Sequence, residues 1–533
     1  MTSSSNSNVM QNPLRSLLDL YESDADIDVD SFPAKVASHF SEIFASRDAF
    51  NEIPVLDWLR PPKYHSDRSL VRFRAMIQDT SSSSEIYLAR RRNGHTSGWG
   101  LFADTLDGRD DAEMDYADLR ECSVLWAVSI PGESEWCTDD LPGDHGSKPY
   151  EPHQEARPHK YPAANSKHIG VQVKVYENSR AALMKSTEMH NFVGVLTHEP
   201  LHSDVNDEPS IQVPTLHVLF SRPVPRTIIP RSFPLQFHTD IREELISWIA
   251  DEALAGDKTA AEWVFLCALA RVQSRTPPIL PPSLTLAKFP SHGDQHPILP
   301  VVISRIFPTV THIPLSLSTI NTTSFFPESK DEDLHSGWLQ VPPGSVVLIS
   351  EGGIREGGVN EKGIMNIRAI QELMNGQTLD YVFPYSRFSF PTDTACVTVC
   401  EGKKSVFFQT SVTVPLQSRC PDAEIIQHLY KSESEIKMPP TERLDAFRAL
   451  VGGAKIGSVT VGEDVAKYIQ DDFVKERQQS SSQAEKVTSE NLILRMTIAR
   501  LLALSYHSQE VTIAIWEDTK KLEAAKNARL ASL

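Results

Sequence analysis

The stretch from Ser283 to Ser405 constrains the fold most. It carries a strand, a loop and a helix in the order of a phosphate-binding site but lacks the residues such a site needs. Ser283–Phe289 (SLTLAKF) is short, apolar and bounded by prolines, the pattern of a buried parallel strand. The polar loop Pro290–His296 (PSHGDQH) follows, and the apolar run Ile298–Phe307 then predicts a helix opened by proline. A phosphate loop, G-x-x-x-x-G-K-[ST], uses glycine N–H groups to cradle phosphates, Lys to neutralise them and a hydroxyl to hold Mg²⁺. This loop has one glycine, Gly293, and no Lys-Ser or Lys-Thr pair. Further on, Val346–Glu351 (VVLISE) is an apolar strand ending where a nucleotide-hydrolysing core places Asp-Glu, with Ser350 in the position of the Mg²⁺-holding carboxylate.

Two more pieces keep the same order. Ile364–Met374 predicts a helix with Ile367, Ile370 and Met374 on its apolar side, stopped by Asn375-Gly376. Ala395–Cys400 (ACVTVC) predicts a buried strand that runs into Glu401 and Gly402, without the polar sensor, commonly Asn, that ends this strand in active enzymes. The stretch therefore resembles an AAA+ core kept for its shape, with a degenerate nucleotide site near Gly293, Ser350 and Glu351. No catalytic residue, cofactor or metal is expected there.

At 533 residues the chain has room for two to four domains with real cores. Its formal net charge of −18 argues against a protein whose main task is to coat phosphate backbones, and favours protein partners. Six scattered cysteines form no C-x-x-C, and neither a signal peptide nor an apolar run of membrane-spanning length is present, so an intracellular, reducing compartment is expected. Arg90-Arg91-Arg92 is too short to serve alone as a nuclear address and reads as a solvated strand end.

Four regions are expected, giving a multidomain α+β and α/β chain. Residues 1–52 read as a helical segment with a disordered start, its helices Leu14–Tyr21 and Ala34–Phe44 joined by an acidic linker, Asp24–Asp30. Its D-x-D-x-D spacing lacks the glycine and the closing Glu of a calcium loop. Residues 53–225 read as an OB-like β-barrel with a disordered insertion at about 138–168. Its strands begin with Val71, Phe73, Ala75 and Ile77 alternating with Arg72, Arg74, Met76 and Gln78, one face buried, and include Ile86–Ala89, Trp99–Asp104, Val124–Ile130, Val171–Tyr176, Phe192–Leu196 and Leu216–Phe220. Residues 236–420 form the degenerate AAA+-like core with leading helices, and 421–533 a helical, lid-like tail. Two decoys are set aside: His198-Glu199-Pro200-Leu201-His202 matches H-E-x-x-H, but Pro200 disfavours the helix that motif needs, and Gly452–Ser458 (GGAKIGS) reads as an inter-helix turn.

Ile53–Asp79, Ile130–Trp136 (IPGESEW), Val173–Glu177 (VKVYE) and Asp471–Val474 resemble the mini-chromosome maintenance (MCM) complex-binding protein family, in order and spacing along almost the whole chain. The resemblance implies a degenerate relative of the MCM helicase subunits. It further implies a non-catalytic partner of MCM subunits, nuclear or both nuclear and cytoplasmic, that acts in their assembly, protection or removal from chromatin and meets nucleic acid only through the MCM complex. In helicase subunits the lid carries an arginine that senses the γ-phosphate; here Ile493 takes that place, with Arg495 nearby. Two alternatives remain open: a regulator that holds nucleotide without hydrolysis through His292, Gly293 and His296, and a single-strand binder using Arg72, Phe73, Arg74 and Trp99 on the barrel.

Overall fold

The computed structural model describes residues 9–23, 28–89, 99–101, 116–137, 157–163, 166–201, 211–224, 238–293, 295–480 and 488–532. They form two compact units. The first comprises Met1–Pro131, Asp139–Val224 and Pro327–Pro342, and the second Gly132–Thr138, Pro225–Phe326 and Pro343–Leu533.

The first unit opens with helices α1 (Pro13–Glu22), α2 (Phe32–Ile43) and α3 (Arg47–Glu52). Asn12 caps α1 by accepting the Arg15 N–H, and Ser46 caps α3 by accepting that of Ala49. Leu17, Phe32, Val36, Phe40 and Phe44 pack with Leu70, Trp99, Tyr176 and Phe220 in one cluster, so the helices join the core of the strand region. The strands are β1 (Val55–Leu56), β2 (Leu70–Asp79), β3 (Glu85–Leu88), β4 (Leu119–Val128), β5 (Gly170–Val175), β6 (Met189–Pro200) and β7 (Gln212–Pro223). Their order is β1-β2-β6-β7-β5-β4-β3, and a further β2–β4 pairing closes β2, β6, β7, β5 and β4 into a ring. Every pair in that ring is antiparallel except β5–β7. Val71, Phe73, Ala75 and Ile77 fill it with Leu125, Val173, Phe192 and Val218.

Three expectations change here. β2 is buried on both faces rather than one: Arg72 is covered by Asn51 and Phe50, Met76 joins Trp126 and Tyr161, and Gln78 bonds Gln340. Trp99–Leu101 is a turn, not a strand, because Trp99 leaves the ladder to lie on Tyr176 at 4.1 Å between ring centres. Within the segment read as a disordered insertion, Arg157–Ala163 is folded, with Lys160 only 1 % exposed. Lys160 is held there because its ammonium meets two carboxylates, Asp79 at 2.5 Å and Asp333. Residues 138–156, the acidic stretch 24–27 and the arginines 90–92 lie outside the described residues.

The second unit begins with α4 (His238–Ala253) and α5 (Lys258–Leu269), the latter capped by Asp257, which also accepts both guanidinium arms of Arg529 at 2.7 and 2.9 Å. A parallel sheet follows, made of β8 (Leu284–Ala287), β9 (Val310–Ser316), β10 (Ser345–Gly353), β13 (Thr394–Val399) and β14 (Val412–Pro415), with the hairpin β11 (Thr378–Phe383) and β12 (Ser386–Pro391) inserted before β13. Its order is β9-β10-β13-β8-β14, so the first strand in sequence lies between the fourth and the fifth. The inner strands β8, β10 and β13 are buried along nearly all their length because both faces are covered, whereas Thr311, His312 and Ser316 of the edge strand β9 are only half-buried.

Short helices α6 (Leu299–Ser304) and α7 (Leu317–Thr322) and the long α8 (Glu361–Gly376) connect the strands. α6 stops at Ser304, short of the expected Phe307, since Phe307-Pro308 turns the chain toward β9. α8 runs through Asn375-Gly376 instead of stopping there. Gln377 takes the left-handed cap at φ 51° and is fixed by a two-way amide bond with Thr394. Five helices end the chain: α9 (Asp422–Leu429), α10 (Thr441–Ile456), α11 (Glu463–Ser480), α12 (Ser489–Ser505) and α13 (Ile513–Ala531). Gly452–Ile456 is helical, not a turn, and Gly453 lets α10 approach the His507 ring, where a Cβ would stand 2.4 Å away. α4, α5, α10, α12 and α13 share one core with the sheet through Trp263, Phe265, Phe307, Phe447, Leu502 and Trp516.

Candidate functional site

The C-terminal end of the parallel sheet gathers Gly293, Ser350 and Glu351, the three positions that sequence assigned to a degenerate nucleotide site. Open α/β sheets bind ligands at this end. β8 gives way at Lys288, φ 57°, and the loop Pro290–His296 crosses toward α6. Gly293 sits at its turn with φ +57°, a conformation a side chain rarely adopts. Three of the loop's described polar groups are occupied from within the protein. The Pro290 carbonyl accepts the Tyr430 hydroxyl at 2.8 Å, Ser291 donates to Glu401 at 2.7 Å, and Arg355 reaches the Gly293 carbonyl at 3.4 Å.

The start of α6 offers little to an anion. Pro297 and Pro300 have no N–H, and Ile298 donates its own to the Leu429 carbonyl at 2.9 Å. Arg355 directs its guanidinium at the carbonyls of Gly352 and Ile354 as well. Ser350 is bonded to His312 at 2.9 Å, and burial, with His296 facing it at 5.2 Å between rings, pushes the His312 imidazole down to about 4. Glu351 is buried and accepts from the Ser405 hydroxyl at 2.5 Å and the Val406 N–H at 3.0 Å. Burial raises its carboxyl pKa in spite of those donors. This sheet end therefore presents prolines, carbonyls and side chains engaged within the protein, Ser350 on His312, Glu351 on Ser405 and Arg355 on backbone carbonyls, at the positions of a phosphate loop's N–H donors, Lys and metal-holding carboxylate.

The IPGESEW stretch has a structural role that its sequence alone did not reveal. Gly132–Cys137 lies against the end of α6 and the start of β9 within the second unit. Trp136 donates its indole N–H to the Ser304 carbonyl at 2.8 Å, and Ser134 meets Phe307 through its hydroxyl and Pro308 through its backbone. Arg448 of α10 lies over the Trp136 ring at 4.4 Å and donates to the Arg305 carbonyl. These donors satisfy carbonyls that the end of a helix leaves open. Gly132, φ +68°, accepts the Val310 N–H, and a Cβ there would stand 2.6 Å from the Val310 carbonyl.

The remaining sequence positions fall as follows. Ile493 is exposed on α12, while Arg495 is held by Glu476 at 2.7 Å and Glu523 at 2.5 Å. His198 and Glu199 lie on β6, not on a helix; His198 is exposed, and His202 is outside the described residues. Glu199 instead joins Lys174 and His217, each at 2.5 Å, and these cationic and imidazole partners lower its carboxyl to about 2 against the opposing effect of burial. Phe73 and Trp99 are core residues, and burial lowers the Arg72 guanidinium to about 10, so the aromatic and basic groups of the single-strand alternative do not line an open groove. Among the described residues, His159, Asp333 and His335 come within metal-ligand reach of one another. Asp333 is already engaged by Arg157, Lys160 and His159, which hold its carboxyl well below the usual range and make the cluster a clasp for the 327–342 segment.

No described helix is long and apolar enough to cross a membrane. The profile of a family described as "Mini-chromosome maintenance replisome factor" matches residues 40–157 and 144–530. Similar proteins named mini-chromosome maintenance complex-binding protein occur in Arabidopsis thaliana, 24% identical over 578 residues, and in Danio rerio, 24% identical over 603 residues; both matches cover 93% of each chain. The relative of that name in Homo sapiens is 22% identical over 616 residues, covering 93% of this chain and 94% of the relative.

Proposed function

The chain belongs to the mini-chromosome maintenance replisome factor family, and on that premise we propose that it binds MCM helicase subunits as a non-catalytic pseudo-subunit. In that role it regulates the assembly, protection or chromatin unloading of MCM complexes in the nucleus. The observation that carries this reading is the end of the parallel sheet. The strand order there, with the first strand between the fourth and fifth, supports a degenerate AAA+-like core. Its phosphate positions are filled by Pro297, Pro300 and the Ile298–Leu429 bond, and its metal position by Ser350. The five-strand ring in the first unit, with a single parallel pair, supports the OB-like assignment. A chain built from the same kinds of domain as a ring subunit can occupy a subunit interface, while the site it completes lacks the groups to turn over. Nanomolar affinity, about −12 kcal/mol, is within reach of one large, well-packed interface.

The test is light scattering coupled to size exclusion, mixing the purified full chain with individual MCM subunits with and without ATP. A discrete complex that ignores ATP is the expected result; failure to co-elute with any subunit overturns the reading. Saturable binding of a fluorescent ATP analogue below millimolar would favour the nucleotide-holding regulator instead.

A further inference from the structure

The hairpin β11–β12 stands on α8 with one edge open. β12 pairs with β11 from Ser386↔Phe383 to Pro391↔Thr378 and with no other described strand. All six of its residues are exposed. The turn residue Tyr385 is fully exposed, and Phe388 and Phe390 are 54% and 44% exposed. The two phenylalanines lie on one face of the strand, seated against their cross-strand neighbours, Phe390 on Tyr381 at 4.6 Å and Phe388 with Phe383 at 5.8 Å. Proteins usually guard such edges with Lys, inward-pointing charges or bulges. Here Arg387 is the single charged residue between Tyr381 and Pro391, and the pairing runs without a register shift.

We infer that β12 is the docking edge for an extended segment of the protein partner, which adds as a further strand. This rests on the proposed function and names the surface that serves it. The open N–H and C=O row supplies the backbone bonds, and apolar side chains at alternate positions of the incoming segment pack on Phe388 and Phe390. An acidic residue at the intervening position meets Arg387, the cation of this edge, which is 46% exposed and within the hairpin reaches Asp380 only at 3.4 Å. A second copy of this chain is disfavoured as occupant. Each copy carries a formal net charge of −18 and the same Arg387, so like would face like.

The experiment uses the full chain and each purified MCM subunit. Binding is titrated with wild type and with Phe388→Glu/Phe390→Glu, and amide hydrogen exchange is followed across 386–391. Both side chains are half exposed, and a thermal melt checks that the variant is folded. The expected result is binding at least tenfold weaker in the variant and exchange of the β12 amides at least tenfold slower in the wild-type complex. Wild-type binding with unchanged β12 exchange and a variant affinity within twofold would overturn the inference while leaving the proposed function standing. If no subunit binds wild type, both fall together. If wild type dimerises and the folded variant does not, a second copy occupies the edge and the inference is overturned. Should the variant fail to fold, exchange in the wild-type complex decides alone.

Discussion

Trp136 donates its indole N–H to the carbonyl of Ser304 at 2.8 Å, fastening the loop after Gly132 to the last residue of α6. That helix leads from the loop around Gly293 to β9, whose first residue Val310 pairs with Val346, so the bond holds the helix at the end of the sheet opposite Ser350 and Glu351.

Trp136→Phe keeps an aromatic face for Arg448 and removes the donor, leaving the Ser304 carbonyl short of a partner. The expected loss is about 1 kcal/mol in denaturant unfolding, and about 2–3 kcal/mol for Trp136→Ala, which also gives up the packing. Equal effects of the two substitutions would place the contribution in the N–H alone.

Lys160→Met leaves Asp79 and Asp333 facing each other without the ammonium that both contact. Breaking a buried ion pair costs about 3–5 kcal/mol, so the variant should melt well below wild type. Adding Asp79→Asn should recover part of the loss, and a double variant no more stable than Lys160→Met would count against the ion pair as the cause.

Burial raises the Glu351 pKa, so the folded chain holds its proton at pH values where the unfolded chain has lost it. Stability from this group is therefore greatest at low pH and falls as pH rises from the ordinary carboxyl range through the raised value. Glu351→Gln should flatten that slope and stabilise the fold at pH 7 more than at pH 4.5. Unfolding curves at the two pH values check it, and partner binding should be unchanged if the sheet end is structural.

His217, fully enclosed beside Tyr176 and Glu199, has its pKa lowered by burial even though Glu199 opposes the shift. The unfolded chain then takes up a proton near pH 6.5 that the folded chain resists, so stability is lost as pH falls below that point. His217→Gln should weaken the dependence between pH 7.5 and 5.5, read by thermal melts across the range.

Local patterns carried much of this protein. The apolar runs at 284–287 and 394–399, the proline-bounded loop at Gly293 and the helical stripes of the C-terminal tail were legible because each depends on neighbouring residues alone. So was the absence of the G-x-x-x-x-G-K-[ST] pattern at Pro290–His296, which is a property of the sequence itself. Long-range partners were not legible. Arg72 and Gln78 alternate with apolar residues as exposed groups would, and only the arrival of Asn51, Phe50 and Gln340 buries them. Lys160 sits in a polar stretch without periodicity and becomes a core residue because Asp79, 81 positions earlier, and Asp333, 173 positions later, converge on it. The hairpin β11–β12 went unread because its aromatics alternate across a strand that covers little of a core. The sequence by itself determined most element types and the missing phosphate-loop pattern, which are properties of short spans. Tertiary structure decided which polar groups are buried and where an edge is left open, because burial and pairing depend on what distant segments bring.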